Sequence, residues 1–183
     1  MHTRLLLLVM TFGTLSAQNV KTWGGLSFGM TETQVRVDLG SRMLKVGPDE
    51  QPLDKSSHDF TGGKVRVTEI KGFEGDATLF FDKTSKKLAM VALFLTPIKD
   101  SSDEDKSFAY TRLREDLLKR YGPPVKRVEC TEAEIETAPG PRTCKLIFRS
   151  EGQTIDAFMT STNAGVPLII HIVYEPIGAN KGI

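Results

Sequence analysis

Three runs in the last third of the chain alternate apolar and polar side chains so regularly that they leave few folds open. Residues 142–150, 153–161 and 168–175 read as strands of period two. A tight turn centred on Glu151 and Gly152 pairs Ser150 with Gln153, and one centred on Asn163 and Ala164 pairs Thr162 with Gly165. These registers lay Cys144, Leu146 and Phe148 beside Met159, Ala157 and Ile155, and those beside Leu168, Ile170 and Ile172. The result is one wholly apolar face, which a one-residue slip would mix with the other. An antiparallel sheet with one face buried is the expectation.

Such a face needs a cover, and the segment before it supplies one. After the acidic run Asp100, Asp103, Glu104 and Asp105, a helix is expected as far as Tyr121, closed by Gly122, Pro123 and Pro124. Ala109, Tyr110, Leu113, Leu117, Leu118 and Tyr121 form its apolar stripe, with Arg112, Glu115, Asp116 and Lys119 opposite. The acidic start and the Lys119/Arg120 end both suit the helix dipole. The acidic spacing lacks the alternating ligands and the glycine of a calcium loop, so no calcium, other metal or cofactor is expected. A further strand is expected at about 125–131.

The first half follows the same order. Thr31 as N-cap and Gln34 three residues on make a capping box, with Met30 and Val35 placed to staple it. A short helix at about 32–39 then stops at Gly40. Residues 41–62 read as a long connection with a short strand near Leu44. Strands follow at about 64–71, 77–82 and 87–96. Pairing Asp82 with Lys87 sets Ala77, Leu79 and Phe81 opposite Ala92, Met90 and Leu88. The class is α+β: two sequential helix-plus-antiparallel-sheet halves, 18–98 and 99–176, with a tail at 177–183.

The start, MHTRLLLLVMTFGTLSAQ, has the three regions of a secretory signal, with cleavage expected after Ala17. Its apolar run is too short to span a membrane, no Cys stands near the cleavage point to be lipidated, and no later stretch has spanning length. Export to a periplasm-like space or outside the cell is expected. There the only two cysteines, Cys130 and Cys144, should form a disulfide, closing a 15-residue loop worth about 3 kcal/mol. The 24 Lys and Arg against 23 Asp and Glu become 23 of each once Arg4 leaves with the leader. That neutrality argues against a nucleic-acid partner.

Candidate chemistry is sparse. The registers place Asp156 opposite His171 on the second sheet face, which reads as a stabilising ionic pair, with a carboxylate orienting a general-base imidazole as the functional alternative. That face also carries Ile147, Phe158, Ile169 and Val173, more apolar surface than an open sheet normally shows. Either the other half or a partner protein should cover it. Phe108 lies almost opposite the helix stripe, as an exposed anchor or packed at the helix entry. Trp23 reads as core, and His58 with Asp54 and Asp59 as a solvated cluster rather than a metal site. No zincin, nucleophile-elbow, P-loop or dinucleotide motif is present in the mature chain.

The entry Trp23, then Phe28-Gly29-Met30 into a short capped helix ending Leu39-Gly40, and the later helix ending Arg120-Tyr121-Gly122-Pro123-Pro124, resemble exported bacterial proteins of tandem helix-plus-sheet design. The pattern F-G-M-T-x-x-x-V-x-x-x-L-G is similar to that of SmpA/OmlA-type envelope proteins, and the layout resembles that of the beta-lactamase inhibitory proteins. The missing lipidation Cys departs from the former and bears on membrane anchoring. The resemblance implies a non-enzymatic module acting through protein contacts at a sheet face, with an envelope protein as partner. The alternative is a small-ligand-binding protein or hydrolase using a pocket near Asp156 and His171.

Overall fold

The computed structural model describes residues 20–40, 43–44, 60–67, 70–128, 142–161 and 166–178. The expected leader, Cys130 and the His58 cluster with Asp54 and Asp59 lie outside the described residues. The chain enters through a bridge between Lys21 and Ser27 that brackets a 3₁₀ turn at Trp23–Gly25, and the lone Trp23 is buried in the core. Helix α1 spans Glu32–Leu39. Its capping box forms as the sequence implies: the Gln34 N–H donates to Thr31 Oγ1 at 3.3 Å, and the Thr31 N–H donates to Gln34 Oε1 at 2.8 Å. Val35 is fully buried, Met30 packs against the same core, and Gly40 ends the helix at φ 51°.

Eight strands follow in chain order with one helix among them. They are β1 (Met43–Leu44), β2 (Phe60–Val67), β3 (Phe73–Asp82), β4 (Leu88–Pro97), α2 (Asp103–Tyr121), β5 (Lys126–Val128), β6 (Arg142–Ser150), β7 (Gln153–Ser161) and β8 (Pro167–Pro176). All pair antiparallel in a single sheet of order β1-β2-β3-β4-β8-β7-β6-β5. The α+β class holds, with the sheet dominant.

The decisive pairing is β4 with β8, which joins the strands on either side of α2 edge to edge. A single row of facing residues then runs Val65, Ala77, Leu93, Ile172, Ala157, Leu146 across six strands, and every one is buried. Both helices lie on this side: Val35 and Leu39 of α1, and Ala109, Leu113 and Leu117 of α2, belong to the same core. Tyr110, Leu118 and Tyr121 flank the α2 stripe half-buried, and a second capping box, Ser102 with Asp105, starts the helix. One half therefore does not cover the other half's second face; the two sheets share an edge instead.

Three expected strand placements shift. β2 starts at Phe60, within the expected connection, and ends at Val67 rather than 71, because Ile70–Gly72 turns back toward β3. Gly72 is required in that turn: it sits at φ +83°, and a Cβ there would lie 2.5 Å from the Ala109 side chain. β3 starts at Phe73 rather than 77 and carries Gly75 in mid-strand, where any Cβ would collide with the Phe94 carbonyl.

Between β3 and β4 the Asp82 carboxylate accepts from the Ser85 N–H at 2.6 Å, which holds that carboxyl below its ordinary value. The expected partnering of Phe81 with Leu88 is found. A bulge then makes Ala89 an extra residue, so Leu79 faces Val91 and Ala77 faces Leu93, not Met90 and Ala92. The bulge keeps Leu88, Val91, Leu93 and Leu95 all on the buried side.

The β6–β7 register is as expected, with Cys144, Leu146 and Phe148 beside Met159, Ala157 and Ile155. The β7–β8 register differs by two residues. Ser161 pairs with Pro167, so residues 162–166 form a longer connection than the expected tight turn, and Met159, Ala157 and Ile155 face Ile170, Ile172 and Tyr174. An even shift preserves the faces. It exchanges Leu168, now 43% exposed, for Tyr174 in the core.

Candidate functional site

The side of the sheet away from the helices carries two central rows. One runs Lys64, Thr78, Ala92, Val173, Asp156, Ile147, Lys126; the next runs Arg66, Asp76, Phe94, His171, Phe158, Lys145, Val128. Charges sit toward the edges and apolar groups toward the middle. Phe94, Phe158, Val173 and Ile147 are half-buried by one another, and Ile169, next along β8, is 43% exposed. No described element lies over this face. The expected surface of Ile147, Phe158, Ile169 and Val173 is thus brought together on four adjacent strands.

The expected Asp156–His171 pair does not form. The two-residue shift sets His171 opposite Phe158 and Asp156 opposite Val173. Asp156 instead takes Lys145 Nζ at 3.0 Å on Oδ2, while Oδ1 is buried without a hydrogen-bond partner. Lys145 also lies 4.3 Å from the Phe158 ring centroid, so one ammonium serves a carboxylate and an aromatic face. His171 lies on the other side of Phe158, with the Phe94 ring 4.7 Å away edge-on. Burial among these groups pushes the imidazole below its ordinary value of 6.5. With no carboxylate opposite it, His171 has lost the partner that would have oriented it as a base.

The other candidates fall elsewhere. Phe108 is 60% exposed on the outer side of α2, with the Arg112 guanidinium 5.0 Å from its ring centroid, so it does not pack at the helix entry. Cys144 is buried on the core face and carries no free thiol, while its expected partner lies outside the described residues. A gap beneath α2, bounded by Tyr110, Leu113, Leu117, Leu146 and Met159, holds about 10 Å³, room for one water at most. Burial there pushes the Tyr110 hydroxyl above its ordinary value.

Among the described residues no group of three His, Cys, Asp or Glu side chains converges as a metal site, and no helix is long and apolar enough to cross a membrane. Sequence reasoning missed Phe94 and the role of Lys145. Phe94 stands out of phase with Val91, Leu93 and Leu95, which marks it for the open face, but its place beside His171 depends on the β4–β8 pairing.

No protein-family model, curated protein or solved structure matches the chain.

Proposed function

We propose that this chain is an exported, non-enzymatic protein-interaction module of the cell envelope that docks a protein on the open sheet face. The observation that carries the reading is the run of half-exposed Phe94, Phe158, Ile147 and Val173, extended by exposed Ile169. Contiguous apolar groups rimmed by charge are the usual mark of a protein contact surface. The leader-like start and the balanced charge support the compartment and the class of partner. In that compartment Cys144 pairs with Cys130, and a thiol assay on the unfolded, unreduced chain should find no titratable thiol.

The test is affinity capture of the tagged, exported protein from gently crosslinked cells, against an Ile147→Asp plus Phe158→Asp variant first shown to be folded. A stoichiometric partner lost in the variant supports the module. Capture of nothing by either form overturns it. A second reading, small-ligand binding or hydrolysis near Asp156 and His171, draws on Asp156 Oδ1, which is buried with no donor. It predicts that a bound small molecule raises the melting temperature of the parent chain and not of Asp156→Asn.

A further inference from the structure

The docking reading leaves the occupant unnamed, and the pattern of the face narrows it. The apolar groups are centred on four strands in the order β4, β8, β7, β6, so their midpoint falls between β8 and β7. Twisted sheets stack face to face with their strands aligned to within ~30°. A two-fold axis along the strands at that midpoint exchanges β8 with β7 and β4 with β6, and keeps each row on itself. In the row that contains Phe94, His171, Phe158 and Lys145, the operation sets His171 of one copy against Phe158 of the other, and Phe94 against Lys145. Each contact occurs twice.

The second contact repeats chemistry the chain already uses. Lys145 lies over the Phe158 ring at 4.3 Å, and a second ring supplied from across the interface would be held by the same ammonium. In the adjacent row Ala92 meets Ile147 and Val173 meets Asp156, while toward the edges Asp76 meets Val128 and Thr78 meets Lys126. Lys64 and Arg66 on β2 fall beyond the partner's β5 edge. Among the described residues of these two rows no like charges are superposed. A foreign surface would have to match this arrangement; a second copy does so by symmetry.

We propose that the open face binds a second copy of this chain in an isologous, face-to-face dimer with its axis between β7 and β8. The inference rests on the docking reading and names its partner. Four strands at ~4.8 Å spacing and about nine residues at ~3.4 Å each present roughly 600 Å² of projected face per copy. That is somewhat below the ~800 Å² per side of a standard interface, so the dimer is weak, with half-association in the micromolar range.

Sedimentation equilibrium of the purified chain from low micromolar to sub-millimolar concentration tests this. The expected result is a reversible monomer–dimer equilibrium. Phe158→Asp, which puts a charge in the centre, should weaken it by more than ~30-fold. Lys145→Ala should weaken it by about 2- to 5-fold through the lost aromatic contact. Phe108→Ser on the far side of α2 should leave it unchanged.

As a second measurement that does not depend on a central substitution, copies carrying Ile169→Cys are mixed with copies carrying Thr160→Cys and treated with a short bismaleimide. The axis places these two positions across from each other, so the mixture should crosslink more than either variant alone. A chain that sediments as a monomer throughout and gives no such crosslink overturns the proposal. If that monomer still captures a foreign protein through Ile147 and Phe158, the second copy is excluded and the docking reading stands. A dimer insensitive to both Phe158→Asp and Lys145→Ala places the interface elsewhere and overturns it as well.

Discussion

His171 sits where protonation is costly, between Phe94 and Phe158. Its folded-state pKa lies below the ordinary 6.5 because burial disfavours the charged ring. The unfolded chain then binds the proton more readily than the folded one, so this group favours folding above about pH 6.5, and that contribution fades as pH falls through the lowered folded value. Urea melts across pH 7 to 5 should show stability falling with acidification, and His171→Leu should remove part of that slope. A slope identical in the variant would place its origin in other groups. Gly75 is a second single-residue dependence: Gly75→Ala forces a Cβ into the Phe94 carbonyl, which backbone must move to relieve. A loss of about 1–3 kcal/mol in denaturant unfolding is expected, the range of an overpacked site. Gly29→Ala, whose Cβ meets nothing within 4 Å, serves as the control for its positive φ alone.

The helices were legible in the sequence because everything that bounds them is local. Thr31 and Gln34 cap α1 within one turn, Gly40 and Gly122 stop the two helices, and the α2 stripe lies in one continuous segment. Thr31→Ala and Ser102→Ala should each cost about 1 kcal/mol in chemical denaturation, since each leaves two first-turn N–H groups without their side-chain acceptors. Hairpins with short turns were nearly as legible: Glu151-Gly152 sets the β6–β7 register outright. The sequence signal faded where an irregularity adds or spends a residue. Ala89 bulges out of β4, and the longer 162–166 connection moves β8 by two positions. The second of these dismantled the expected Asp156–His171 pair while leaving the interaction face intact, because face membership depends only on parity. The β4–β8 pairing had no local signal at all, and with it Phe94 went unassigned to the site.

At the scale of the molecule, one core serves both helices, so the strands before and after α2 should unfold together. Far-ultraviolet circular dichroism and Trp23 fluorescence should give coincident denaturation curves, since Trp23 in the first half and Tyr174 in the last strand belong to one cluster. Separate transitions would show that the shared edge does not couple them. That edge also has a consequence for how the chain is made. β4 meets its partner more than eighty residues later in places, Val91 with Tyr174, so through most of synthesis and translocation one long side of β4 offers unsatisfied amides and carbonyls. The last strand acts as the zip that closes the sheet from the middle. A chain cut short before Pro167 bares two inner borders at once, which makes the C-terminal ten or so residues of sheet the checkpoint between a finished protein and a sticky intermediate.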